Sequence, residues 1–380
     1  MFSRINRNDF FRKFDKAPHF YGNAAHAFYD VMTWVQQNQP KKQPNIVMPA
    51  YIPAKLYRFV LAAGYQPKFY DVTTELGFSL AEIENLIDDQ TQMVFAVHFF
   101  GVPVDLKPLK QLTQEKKVFL FEDCAHTLDG SYHGKTLGTT GDFAIFSSRK
   151  MLQFHCGGFL FLNTTPWPFA PSSIERVSSL FTGYHLLGSR FKFSMNLWLK
   201  GHPLKKASTV PYHGYIDFNE TQKVRVKKMC RLSEWYIANV DIQKVIKRRR
   251  DNVTWLLNNI NNQDVFSPIG VHRLTESYKP GEKRTYRLIN GYVPFSLPVL
   301  LLEGTRDQVQ KKLLDAGIVC FAGWPEAPFG MSGYPGTSAL KACLLELPVH
   351  QFINPHQLEI MARYFNESTL KTESALIAME

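Results

Sequence analysis

A chain of 380 residues, 45% apolar and 20% charged, has the ordinary composition of a soluble globular protein and room for two domains. It has no secretory pattern in its N-terminal MFSRINRNDFFRKFDK and no run near the roughly 18 apolar residues of a membrane span; its five cysteines, odd in number and without metal-ligand spacing, fit free thiols in a reducing cytoplasm and no metal site. The net charge of +11 is concentrated between Arg190 and Arg250, where 15 Lys/Arg face four acidic residues; this suits either an anionic partner or a solvated helix face, and without interleaved aromatics the run at 244–250 is a poor nucleic-acid patch.

Residues 24–36 (AAHAFYDVMTWVQ) carry apolar residues at helical spacing, with Gly22-Asn23 as turn and cap. Strand-like runs at 46–48, 68–72, 93–100 and 118–121 alternate with helical patterns at 54–63, 79–87 and 106–115, and two more strands read at 143–146 and 158–162. Such alternation predicts a mostly parallel sheet with helices on both faces and a ligand site at the carboxyl ends of its strands. Residues 164–220 read as an irregular excursion. A long helix, broken near 239–241, spans 224–260, and Val293–Leu302 reads as a strand pair. From about 265 the pattern suits a smaller α/β domain. The expected division is therefore 1–222 for a large domain and 223–380 for the connecting helix and small domain.

The densest cluster of chemistry-bearing residues is 121–158, FEDCAHTLDGSYHGKTLGTTGDFAIFSSRKMLQFHCGG. Asp123 ends a buried strand, His126 follows, and a second strand ends in Ser147-Ser148-Arg149-Lys150. Such a set, drawn from two strand ends, is what pyridoxal phosphate requires. A lysine amine attacks the aldehyde, a carboxylate pairs with the ring nitrogen, and donors hold the phosphate. The helix start at Gly22-Asn23-Ala24 is the best phosphate cradle in the chain. On residues alone, each also has a plain structural reading: Lys150 as a surface lysine, Asp123 as a turn cap, His126 as a structural histidine.

The order and spacing of these strings resemble the DegT/StrS family of sugar aminotransferases, in the aspartate aminotransferase superfamily, over most of the chain. FEDCAH and its glycine-rich sequel look like the family's stretch around the pyridine-binding aspartate. Lys150, seven residues before Gly157-Gly158, falls at its Schiff-base lysine. MPAYIPAKLYRFVLAAGYQPKFYDV, AVHFFGVPVDL, GWPEAP, LELPVHQFINPHQLEIM and YGNAA are similar to further family segments.

The resemblance implies a seven-stranded fold type I sheet and a symmetric homodimer. It implies a pyridoxal-phosphate transaminase moving an amino group, from glutamate, to a nucleotide-linked keto sugar for polysaccharide or glycoside synthesis. Lys150 and Asp123 become catalytic. His126 lies near the ring hydroxyl, Ala125 under the ring, and Ser147 (or Ser148) at the phosphate with Gly22, Asn23 and Ala24. Two features depart from the family. Pro53 stands where a ring-stacking aromatic is common, leaving Tyr51 as a weak substrate-contact candidate, and HGYIDFN at 213–219 lacks the arginine of the family's G-x-N-x-R loop. Two rival readings are a dehydratase-like reaction with the same cofactor, and a non-catalytic basic scaffold whose residues 179–206 touch a membrane surface.

Overall fold

The short apolar runs build one sheet of seven strands: β1 (His19–Tyr21), β2 (Asn45–Pro49), β3 (Gln66–Tyr70), β4 (Thr91–Val97), β5 (Phe119–Cys124), β6 (Phe143–Phe146) and β7 (Gly158–Leu162). The structure, a computed structural model, describes residues 9–152, 154, 156–172, 175–180, 224–261, 266–273, 286–324 and 333–367. The strand order is β1-β7-β6-β5-β4-β2-β3. Neighbours from β3 across to β6 are parallel, and β7 runs antiparallel between β6 and β1. Every residue of β2, β6 and β7 is buried. A parallel strand covered on both faces has no solvent side, so it reads as a continuous apolar run rather than an alternation.

Helices α1 (Ala24–Asn38), α2 (Ala54–Ala62), α3 (Leu80–Leu86) and α4 (Lys107–Glu115) connect these strands, and α5 (Ser148–Leu152) follows β6. Helix α1 starts where Asn23 Oδ1 accepts from the His26 N–H at 2.9 Å, as its side chain predicts. It lays Phe28 against Phe95 and Phe121, with ring centroids 4.6 and 4.8 Å apart. Each fully buried ring contributes roughly 1.5–3 kcal/mol relative to exposure.

The second half begins with α6 (Arg231–Asn239) and α7 (Ile242–Asn259). A small antiparallel sheet follows, in which β8 (Ser267–Pro268) and β10 (Leu344–Leu347) flank β9 (Leu297–Leu300). Helices α8 (Arg306–Asp315), α9 (Pro335–Cys343) and α10 (Pro355–Glu367) complete it. One core cluster joins Val47, Val94 and Leu120 of the large sheet to Leu256, Leu345 and Phe365.

Three expectations differ from the structure. Residues 224–230 are not helical; Gly22 N–H donates to Lys227 O at 2.7 Å, tying the segment to the start of α1. Val293–Leu302 forms one strand, not two. The carbonyls of Pro294 and Phe295 accept from the Arg249 guanidinium at 3.0 and 2.8 Å, so a side chain takes the bonds a ladder would have used. Arg249 also donates to Met151 O and is buried, so the basic run at 244–250 is not simply a solvated face.

Residues 181–223 lie outside the described residues. They hold most of the expected excursion, the 213–219 loop and most of the 179–206 segment. So do 325–328 of GWPEAP and the tail from 368. Among the described residues no helix is long and apolar enough to cross a membrane.

Candidate active site

The carboxyl ends of β4, β5 and β6 face a cavity of about 310 Å³, closed from the other side by residues of the small sheet and its connections. Seven of the residues singled out in the sequence line it: Asn23 and Ala24 at the start of α1, Asp123, Ala125 and His126 after β5, and Ser147 and Lys150 after β6. Alternation along β5 explains the first carboxylate. Glu122 points to the opposite face, where it takes the N–H groups of Gly138, Thr140 and Gly141 and the His98 ring. Asp123 is thereby aimed at the cavity, and its Oδ1 accepts from the Ala125 N–H at 2.7 Å. Burial pushes the Asp123 carboxyl up, while the Lys150 amine and the Ala125 N–H act in the opposite sense.

His126 is held on three sides. Phe295 stacks on it at 4.8 Å and 13°, with Trp324 and Phe100 further off, each at 5.7 Å. The Phe100 N–H donates to His126 Nδ1 at 3.0 Å. Phe100 achieves this at φ +56°, a region costing a side-chain-bearing residue about 1–2 kcal/mol. Gly101 follows at φ +88°, where a Cβ would lie 2.1 Å from Val293 O. Burial drives the imidazole well below its ordinary range, with the nearby Lys150 adding to the effect, so the ring is neutral.

A neutral imidazole that accepts at Nδ1 carries its proton on Nε2. His126 Nε2 lies 2.6 Å from Lys150 Nζ. An Nε2–H donated to Nζ needs a lone pair there, so this contact favours the uncharged form of the amine. The electrostatics agree. Burial pushes the half-buried Lys150 amine down to about 8, with Asp123 opposing the shift and Arg149 adding to it. An amine titrating near 8 has a far larger uncharged fraction at neutral pH than an ordinary lysine, and that form is a nucleophile and a base.

Not every sequence candidate reaches the cavity. Gly22 does not line it, and its N–H is spent on Lys227. Tyr51 is fully buried with its ring 5.0 Å from that of Trp324, behind the wall rather than on it. Of the two serines Ser147 lines the cavity; Ser148 instead packs its hydroxyl beside Gly157.

The cavity also holds groups to which the sequence reading gave no role: Lys55, Arg149, Phe295, Trp324 and Glu346. Arg149 adjoins Lys150 in the SSRK string, and Glu346 is the one charge in the apolar run LLEL, which was its local signal. Together the first N–H groups of α1, which have no partner within the helix, Ser147, Lys55 and Arg149 make a donor set suited to a phosphate. Pro53 lines the cavity where a stacking aromatic was missing, and Phe99, Phe295 and Trp324 bring aromatic faces to other walls.

Residues 22–164 match the sequence model of the DegT/DnrJ/EryC1/StrS aminotransferase family. GDP-perosamine synthase of Escherichia coli O157:H7 is 33% identical over 103 residues, covering 26% of this chain and 28% of that protein. The chain thus matches only about a third or less of the length of such curated relatives. The aminotransferase TlmJ from Streptoalloteichus hindustanus superposes with a TM-score of 0.64 at 16% identity, covering 100% of this chain and 91% of that one. The E. coli GDP-4-keto-6-deoxy-D-mannose-3-dehydratase with bound hydrated PLP gives 0.64 at 14% identity, covering 95% and 91%. At such identities these two likenesses speak for the fold. Residues 22–164, which contain Asp123, His126, Ser147 and Lys150, thus carry the sequence pattern of the DegT/DnrJ/EryC1/StrS aminotransferase family that the motifs resemble.

Proposed function

We propose that this chain is a pyridoxal-phosphate-dependent aminotransferase that moves an amino group from glutamate to a keto group of a nucleotide-linked sugar, in polysaccharide or glycoside synthesis. The observation that carries the reading is the Lys150 amine, its pKa lowered by burial and its Nζ bonded to His126, in a cavity that Asp123 also lines. The residues present fit the coenzyme. Asp123 would meet the ring nitrogen, Ala125 would lie under the ring, His126 would adjoin the ring hydroxyl, and α1 with Ser147, Lys55 and Arg149 would take the phosphate. When bound, the coenzyme supplies an electron sink for the carbon that loses its proton.

The chain's own groups do the rest. Lys150 Nζ takes the proton from the donor's α-carbon and returns it one position away, and an amine that titrates near 8 serves in both directions. His126 fixes where Nζ points. Asp123 stabilises positive charge on the ring nitrogen it faces. Phe295 and Trp324 keep water from the reacting side.

The dehydratase-like alternative has a fold neighbour in its favour, but a lysine amine lining the cavity favours amino transfer. A division at 222/223 belongs to the same proposal. Lys150 and Asp123 then come from the first part and Trp324 and Glu346 from the second, so both parts are needed to close the site. A symmetric homodimer in the cytoplasm, as the family resemblance and the odd cysteine count imply, completes the reading. The purified chain should take up pyridoxal phosphate with a visible absorbance band and release the ketoacid from glutamate. Lys150→Ala should lose both; a colourless wild type, or an unchanged band in the variant, overturns the proposal.

A further inference from the structure

We propose that Glu346, lining the same cavity, is a second carboxylate beside Asp123 that tunes the charge on the Lys150 amine, a positioning residue for the reaction. The inference rests on the reading above only in taking Lys150 as the reactive amine. Glu346 sits in β10, where its three neighbours are buried leucines. Its backbone N–H and C=O are both engaged with Phe321, so only the side chain is available to the cavity. Ser296 Oγ donates to Oε2 at 2.9 Å, and among the described residues no other group hydrogen-bonds the carboxylate. The residue is 7% exposed and lines the same cavity as Lys150. The amine therefore shares its cavity with two carboxylates, Asp123 from the large sheet and Glu346 from the small one.

A buried carboxylate with one hydrogen bond holds its charge poorly unless a cation is near, and a buried ammonium needs an anion for the same reason. Burial pushes Glu346 up to about 7, with Ser296 and Lys150 acting against the shift. That is close to the amine's value of about 8, so near neutral pH each group governs the other's proton. The remaining groups do not take over this role. Tyr51, Tyr292 and Cys320, which face Glu346, are held protonated by burial. On the lysine's side His126 is neutral, Arg149 works against the charged amine, and Asp123 supports it more strongly than Glu346 does.

The test reads the amine directly, in the full-length chain freed of coenzyme. Lys150 is labelled by reductive methylation across a pH series and the modified peptide is quantified by mass spectrometry. Removing the Glu346 charge lowers the amine's pKa, so Glu346→Gln should move half-labelling to lower pH by roughly half to one pH unit. From a value of about 8, that is roughly three- to fivefold more labelling at pH 7. Glu346→Asp should return the profile toward wild type. Ser296→Ala removes the donor that favours the anion and should give a smaller shift in the same direction. If Glu346→Gln does not fold, the Ser296→Ala profile decides between the outcomes. A folded variant whose profile overlays wild type overturns the proposal. Coenzyme uptake is read separately by absorbance, so failure of the aminotransferase reading is distinguishable from failure of this one.

Discussion

Glu122 and Asp123 are adjacent carboxylates with different surroundings. Glu122 accepts three backbone N–H groups and faces His98, whose other nitrogen takes the Val104 N–H. That network organises the 138–141 loop and leaves no group free for chemistry. Asp123 has one backbone donor, and burial raises its carboxyl, so it gains from any cation that enters the cavity. Asp123→Asn tests this difference. The amide oxygen can still accept from Ala125, so the fold should persist. The charge facing the ring nitrogen is gone, and kcat should fall by about 100-fold or more, the scale of losing a preorganised electrostatic partner. Steady-state kinetics with a thermal melt as control decides it. A mutant within a few-fold of wild type would remove Asp123 from the proposed mechanism.

At the scale of elements, β7 and α1 meet at a point no side chain can enter. A Cβ on Gly158 would lie 2.4 Å from both Ala24 N and the Asn23 carbonyl carbon. That close approach holds the first turn of α1 against the sheet, where its N–H groups face the cavity. Gly158→Ala must push the helix start away, and overpacking of this kind costs about 1–3 kcal/mol. Coenzyme Kd, followed by absorbance titration, should rise about tenfold or more while the protein still folds, since about 1.4 kcal/mol is a factor of ten. An unchanged Kd would mean that the helix start does not hold the phosphate.

The Gly-Gly pair, the Asn23 cap and the strand runs were legible because each expresses a local rule: no room for Cβ, an Asx side chain over a first turn, a strand covered on both faces. What was not legible depends on distant partners. Val293–Phe295 is apolar enough for a strand, yet Arg249 from α7 takes two of its carbonyls, and Phe295 ends on the His126 ring. Tyr51 stood near the cavity in sequence order, but the small sheet brings Trp324 in front of it.

For the whole molecule, the site is a burden on stability, and the size of that burden follows from Lys150. Its amine titrates near 10.5 in an unfolded chain and near 8 in the folded one. A base whose pKa falls on folding is held less well charged by the folded state than by the unfolded. The penalty is full below about pH 8, shrinks as pH rises toward 10.5, and is gone above that. A fall of that size corresponds to at most about 3 kcal/mol, and partial exposure of the side chain reduces this to about 2 kcal/mol. Lys150→Met keeps similar bulk without the charge, so the coenzyme-free variant should melt a few degrees above wild type at pH 7, since about 2 kcal/mol moves a large chain's Tm by that much. The advantage should disappear by about pH 11, where the amine is uncharged in both the folded and the unfolded chain. Calorimetry at the two pH values tests both the size and the sign. A variant less stable than wild type at pH 7, or one whose advantage persists at about pH 11, would mean that burial does not lower the amine's pKa, and the perturbed lysine beside His126 would have to be abandoned.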